Sequence, residues 1–163
     1  EELDEWTEGI SIKWPNDIYW NEKKICGILI ENDLSGHHIG RSISGIGVNI
    51  NQETFRSDAP NPVSLKQITG QEHERYLILA NIMRRLKEYY ILLQTDSSGN
   101  AANCIAERYA RSLFRREGFH RYADADGEFL ARLLCVEPDG RFILEDQAGK
   151  VRGYLFKEVQ YIL

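Results

Sequence analysis

A short strand that must stop at a turn places the first constraint on how this chain can fold. The apolar residues Ile10 and Ile12 alternate with Ser11 and Lys13, which predicts a strand with one buried face. The next residues, Trp14-Pro15-Asn16-Asp17, contain a proline that lacks the N–H for a further ladder bond. They also contain an Asn-Asp pair, whose side chains bond nearby backbone in turns. The chain is therefore predicted to reverse here.

A second predicted strand follows this turn and also begins with a lysine. Residues 24–31 are rich in β-branched and apolar side chains, which predicts a strand buried on both faces of a sheet. Two lysines (Lys13 and Lys24), an amide (Asn16) and a carboxylate (Asp17) are thereby brought to one end of that sheet. This combination of charges predicts a site for an anionic ligand.

Residues 39–51 are predicted to form one long strand that carries several glycines. Its apolar residues lie at odd positions at first and at even positions from Ile46 onward, so the buried face changes. Such a change requires an extra residue, and we place the β-bulge at Gly45. The face opposite the core then carries Gly45, Gly47 and Asn49, where a ligand can approach the backbone and meet an amide. The alternative is that the glycines serve close sheet packing.

Three ordered segments resemble the biotin protein ligases, and the resemblance covers essentially the whole chain. The matching segments are Lys13–Asp17, Lys24–Glu31 and Gly45–Asn51, followed by Pro62–Leu65. The resemblance implies an α+β fold: a mixed sheet with helices of the class II aminoacyl-tRNA synthetase and biotin ligase type, then a small SH3-like β-barrel. We predict the C-terminal part of the catalytic domain at residues 1–116 and the SH3-like domain at 117–163. The family's glycine- and arginine-rich adenylate loop would precede Lys13 and is expected elsewhere.

The resemblance implies a two-step reaction on a carboxylate. Biotin would be activated by ATP as biotinyl-AMP and then transferred to a lysine of a biotin carboxyl carrier protein. ATP, Mg²⁺ and biotin are the implied cofactors and substrate. Lys24 takes the catalytic role, because its family counterpart lies between the biotin carboxyl group and the phosphate. A fixed cation in a dry pocket stabilises the charge that develops there.

Six further positions are implied as ligand-binding residues: Lys13, Asn16, Asp17, Gly27, Gly45 and Asn49. The two asparagines would bond adenine, and the two glycines would let biotin approach the backbone. Two roles stay open for the carboxylate, which either orients a lysine or helps to hold Mg²⁺. Lys13 either contacts the ligand or stabilises the turn through Asp17.

Two other functions remain open at this stage. One is a non-catalytic or regulatory ligand-binding homologue, and the other is a lipoate-type ligase. Retention of both lysines and both asparagines favours catalysis. Burying a charge costs free energy of desolvation, and a protein without catalysis need not keep such residues. The KWPND segment, residues 13–17, resembles the biotin branch more than the lipoate branch.

Composition excludes several classes of partner. The net charge of −5 gives no basic field for nucleic acid. Three widely spaced cysteines, without a CxxC pair, predict free thiols and a cytoplasmic location. No apolar run reaches the roughly 18 residues of a membrane span. The adjacent histidines His37 and His38 have no third ligand nearby, so no metal site is predicted. Whether two copies form a homodimer is left open.

The second half is predicted to be helical and then β-rich. Ser64 to Gln67 has capping-box spacing with a stop at Gly70, and a long helix is predicted over residues 72–94. We expect one apolar stripe of that helix to pack against a sheet: Leu79, Met83, Leu86, Tyr90 and Leu93. A third helix runs through residues 105–113, and short strands between hairpin turns follow.

Overall fold

The chain forms two compact units. A computed structural model describes residues 1–36, 38–56 and 61–163, so the predicted pair of histidines lies partly outside the described residues. The first unit is Glu1–Thr95 and the second is Asp96–Leu163. The α+β class is confirmed. The predicted domain boundary after residue 116 stays a prediction, and the third helix groups with the second unit.

An antiparallel sheet of four strands is the centre of the first unit, in the spatial order β1-β2-β3-β4. Its strands are β1 (Ile10–Lys13), β2 (Asp17–Trp20), β3 (Lys23–Ser35) and β4 (His38–Val48). Strand β2 was not predicted: its first residue, Asp17, had been assigned to the turn. Parallel pairing enters through a bridge between Lys24 and Pro62.

One face of this sheet carries the buried core. Ile18, Cys26 and Val48 lie side by side in register and share this face. The buried cluster consists of Leu3, Ile25, Cys26, Ile50, Val63, Leu65 and Ile78. These residues come from a 3₁₀ turn at Leu3–Glu5, from the sheet, from two helices and from the segment that connects β4 to the first helix, so the core ties the sheet to the helices.

The two helices of this unit are α1 (Leu65–Thr69) and α2 (Arg75–Thr95). The predicted capping box is confirmed: the Ser64 hydroxyl accepts from the Gln67 backbone N–H at 3.2 Å, and the Gln67 side chain accepts from the Ser64 N–H. Gly70 ends α1 with φ at +78°, where a side chain would be strained.

Two burial predictions are wrong in this structure. Strand β3 is not buried on both faces, since Leu29 is 63% exposed and Ile30 is 54% exposed. The predicted stripe of α2 is also exposed, and the helix buries Ile78 instead. The physical reason is that hydrophobic periodicity predicts which face of an element is apolar. It does not specify which neighbouring element, if any, covers that face. Among the described residues, the core cluster takes in Ile25 and Cys26 of β3 and Ile78 of α2, but not the exposed apolar residues of either element.

The predicted bulge at Gly45 is also wrong. Gly45 pairs regularly with Leu29, and the register of β3 and β4 shifts at Asp33 and Leu34, opposite Gly40. A second irregularity lies between β2 and β3, where Ile18 pairs with Cys26 and the next residue pairs with Lys24. The extra residue is Ile25, and its effect on the site is described below.

The second unit contains one helix and a five-stranded antiparallel sheet. Its elements are α3 (Asn100–Arg111), β5 (His120–Asp124), β6 (Gly127–Val136), β7 (Phe142–Asp146), β8 (Val151–Tyr154) and β9 (Gln160–Tyr161). The strand order is β8-β7-β6-β5-β9. Side chains of β8 nevertheless reach Asp124 on β5, although two strands lie between them, so the sheet curls strongly. This curl is compatible with the SH3-like barrel, which stays a prediction.

Candidate functional site

A β-bulge decides where the key lysine points. Lys24 and Gly27 are three residues apart, so a regular strand would place them on opposite faces of the sheet. The extra residue Ile25 removes that offset. Lys24 pairs with Tyr19, and Gly27 pairs with Asp17, so all four residues lie on the face opposite the core. Bulges re-aim side chains in this way, often beside active sites.

The backbone around Lys24 is held on several sides. Its N–H donates to the Asn61 carbonyl at 2.9 Å, and its carbonyl accepts from the Val63 N–H at 2.9 Å. The same carbonyl accepts from the Asn49 side-chain amide at 3.4 Å. The stem of the lysine is therefore fixed, and only its flexible chain has freedom to move.

The lysine ammonium forms an ion pair within the sheet. Lys24 Nζ lies 2.6 Å from Asp17 Oδ1, with the two side chains 29% and 20% exposed. Asp17 is also the cross-strand partner of Lys13, whose Nζ lies 5.3 Å from the centroid of the Tyr19 ring. Two cations and one carboxylate thus meet on one face, as the sequence predicted.

Tyr19 is a site residue that the sequence reasoning missed. Its side chain is only 1% exposed, and burial, followed by the nearby Asp17 carboxylate, raises its pKa. The signal that could have revealed Tyr19 is its spacing from Asp17, two residues apart in a strand, but that strand had not been predicted. The neutral Tyr19 ring provides an apolar surface beside the two lysines and the carboxylate of this face.

Glycines form the surface next to this ion pair. Gly27 and Gly47 are cross-strand partners, and Gly45 lies on the same face opposite Leu29. Side chains built at Gly45 or Gly47 would meet other atoms only at 3.8 Å or more. The backbone is therefore approachable here, which supports the prediction of a ligand surface.

The two predicted asparagines both bond to β3. The Asn16 side-chain amide donates to the Ile28 carbonyl at 2.6 Å, and the Ile28 N–H donates to the Asn16 carbonyl at 2.8 Å. Asn49 donates to Lys24, as described above. Each amide group has a second N–H and an oxygen that can serve a ligand. Both residues therefore border the first part of β3, one at Lys24 and the other at Ile28.

Cys26 and the acidic residues define what the site does not offer. Cys26 faces the core, and burial, together with Asp17, raises its pKa to about 11, so it stays a thiol at neutral pH. In residues 1–36, 38–56 and 61–163 no three His, Cys, Asp or Glu side chains cluster as metal ligands. Asp17 fits the one or two carboxylates that Mg²⁺ needs when phosphates hold most of it.

No helix in the described part is long and apolar enough to span a membrane.

The arrangement suits a ligand that carries several negative oxygens. Lys24, with its fixed stem, lies beside approachable backbone, and Lys13 lies over the buried Tyr19 ring. The Lys24–Asp17 pair is only partly open to water. Ammonium groups bind phosphate or carboxylate oxygens as compact point charges. The face can therefore stabilise charge that develops on a carboxylate or phosphoryl group.

Comparison with known proteins identifies the same region. The sequence model of the Biotin/lipoate A/B protein ligase family matches residues 5–49, a range that contains every predicted site residue. The "Bifunctional ligase/repressor BirA" of Bacillus spizizenii is 30% identical over 148 residues, which cover 88% of this chain and 44% of that protein. The "Biotin--[acetyl-CoA-carboxylase] ligase" of Paracoccus denitrificans is 31% identical over 153 residues, covering 86% of this chain and 59% of that protein.

A solved structure extends the similarity over the fold. The apo biotin protein ligase from Aquifex aeolicus superposes with a TM-score of 0.71 at 25% identity, covering 98% of this chain and 68% of that one. The Aquifex enzyme has also been solved in complex with biotin and ATP. The chain spans about half of the length of the two curated relatives.

Proposed function

Because this chain is related to the biotin protein ligases over most of its length, we propose that it carries the catalytic lysine of an ATP-dependent biotin ligase. The enzyme activates biotin as biotinyl-AMP and transfers biotin to a lysine of a biotin carboxyl carrier protein. One observation carries the proposal: the Lys24 ammonium lies 2.6 Å from Asp17, beside the glycine pair of β3 and β4.

In the first step, a biotin carboxylate oxygen forms a bond to the α-phosphorus of ATP, and pyrophosphate leaves. Negative charge grows on the phosphoryl oxygens, and Lys24 supplies a cation to them. In the second step, a lysine amine of the carrier protein attacks the acyl carbon of biotinyl-AMP and loses a proton. The bond between the acyl carbon and the phosphate oxygen breaks, and AMP leaves. Mg²⁺ would enter with ATP as part of the substrate, and Asp17 is the carboxylate of this site that could help to hold it.

The remaining site residues receive supporting roles in this proposal. Gly45 lets biotin lie against the backbone. The family resemblance implies the same role for Gly27. Asn16 and Asn49 bond the adenine edge with the amide groups that their backbone contacts leave available. Lys13 attracts the anionic ligand from above the Tyr19 ring. A reducing, cytoplasmic location agrees with free thiols at Cys26, Cys104 and Cys135.

The test is biotin-dependent exchange of labelled pyrophosphate into ATP by the natural protein. Lys24→Ala is expected to lower exchange by about 10²–10³-fold, the usual effect of removing one preorganised group that stabilises transition-state charge. Lys24→Arg should also be poor, because the guanidinium fork differs from a compact ammonium. Lys23→Ala is the matched control, since that exposed lysine is paired with Trp20 across the strands.

Near-normal exchange in Lys24→Ala would contradict the assignment of the catalytic lysine. Exchange that depends on lipoate instead of biotin would favour the lipoate-type alternative, which the matching family model includes by name. Biotin binding without any exchange in the natural protein would favour a regulatory homologue.

A further inference from the structure

We infer that Gly27 is a positioning residue, whose missing side chain leaves the slot in which Lys24 is held next to Asp17. The inference deepens the proposed function and rests on it for the importance of Lys24. It gives Gly27 a task within the protein, separate from the ligand approach that the family resemblance implies.

The slot is visible in what a side chain at residue 27 would meet. A Cβ built on Gly27 lies 3.2 Å from both Cε and Nζ of Lys24 and 3.5 Å from Asp17 Oδ1. The end of the lysine chain therefore lies directly over the glycine. Contacts of 3.2 Å are tighter than most Cβ contacts, so the end of the lysine chain would have to shift by a few tenths of an ångström from its place beside Asp17.

Three features of the fold converge on this position. The bulge at Ile25 brings Lys24 onto the face of Gly27, and the β2–β3 register places Asp17 opposite the same glycine. Backbone bonds hold the stem of the lysine, as described above. The side chain therefore passes over residue 27 to reach the carboxylate, and glycine leaves the space that a Cβ would narrow.

The neighbouring glycines provide a matched control. Gly47 is the cross-strand partner of Gly27, and a Cβ there would meet only the Gly27 carbonyl at 3.8 Å, an ordinary contact. Gly27→Ala and Gly47→Ala thus add the same methyl group to the same face. They differ in whether the lysine is in the way.

The first experiment measures the accessibility of the lysine in the natural protein without ligand. Limiting acetic anhydride labels amines, and peptide mass spectrometry gives the labelling of Lys24 relative to Lys23. Gly27→Ala is expected to raise this ratio about threefold, the size expected for loss of a partly exposed ion pair. Asp17→Asn should raise it similarly, the double variant should add nothing more, and Gly47→Ala should leave it unchanged.

The second experiment is a thermal melt of Gly27→Ala in two backgrounds. Any loss in Tm caused by the added methyl group should disappear when Lys24→Ala removes the atoms it meets. A loss that persists with Lys24→Ala, an unchanged labelling ratio, or an equal rise in Gly47→Ala would each overturn the inference. Neither experiment contains biotin or ATP, so its failure is distinct from failure in the exchange assay.

Discussion

The two units place charged side chains on a sheet in opposite ways. In the first unit, Lys24 and Asp17 form a partly exposed ion pair beside glycines that leave the backbone open. In the second unit, Arg152 lies 3.3 Å from Asp124 and 3.1 Å from Asp146. Tyr154 donates to Asp124 at 2.6 Å and joins the same network.

The difference is that Lys24 has a charge that a ligand can approach, whereas the charge of Arg152 is paired with carboxylates of the protein. Arg152 also lies 4.7 Å from the centroid of the Phe129 ring, so its guanidinium is enclosed by two carboxylates and an aromatic face. Such a group joins strands and has little left for a ligand. Lys24 is held by one carboxylate at the end of a flexible chain, and an incoming anion can compete for it.

The comparison predicts that the arginine matters mainly for stability. Arg152→Met keeps the aliphatic stem and should lower Tm by roughly 5–10 °C, because Asp124 and Asp146 lose their shared cation. Lys24→Met should change Tm by no more than about 2 °C. Arg111→Met is the control for a surface arginine, since its ion pair with Glu107 is long, at 3.6 Å, and mostly exposed. Circular dichroism melts measure all three, and a larger loss in Lys24→Met would reverse the comparison.

The open glycine surface of the first unit gives a prediction about ligand affinity. Gly45→Ala should weaken biotin binding about tenfold, close to 1.4 kcal/mol, because the methyl group would occupy space next to the ligand. Its Tm should not fall, because a Cβ at that position meets nothing closer than 3.9 Å. Calorimetric titration and a melt of the same variant separate the two effects. A loss of stability with unchanged affinity would make Gly45 a packing glycine.

The network of the second unit predicts a dependence of stability on acid. Hydrogen bonding, first from Tyr154, holds the pKa of Asp124 below its ordinary value. A carboxyl group with a lowered folded-state pKa stabilises the protein above its unfolded pKa of about 3.9, and this contribution is lost as pH falls through the folded value.

The Tm difference between the natural protein and Asp124→Asn should therefore be largest near pH 7 and shrink between pH 4 and the acid limit of folding. Tyr154→Phe should remove part of the same pH dependence, because it removes the first cause of the pKa shift. Melts over this range measure both variants, and a Tm difference that stays constant with pH would show that Asp124 stabilises the fold by packing alone.

Local sequence patterns determined several elements of this protein. The Pro-Asn turn, the strand β1 before it, the capping box at Ser64 and the glycine that ends α1 all depend on neighbouring residues, and all are present. The same patterns predicted that Lys13, Lys24, Asn16 and Asp17 would lie at one end of a sheet. These features follow from fixed dihedral angles, missing donors and side-chain bonds to nearby backbone, which a sequence displays directly.

Only the tertiary structure decided which face each residue occupies. The bulge at Ile25 is hidden in the sequence, because the extra residue is itself apolar and lies in an apolar run. The change of parity near Gly45 suggested a bulge where the ladder is regular. Strand register is set by pairing with neighbours, and a shift of one residue turns every later side chain to the other face. The sequence by itself therefore indicated the charged, amide and glycine residues of the candidate site, and the β2–β3 register decided that Tyr19 joins them and that Lys24 lies over Gly27.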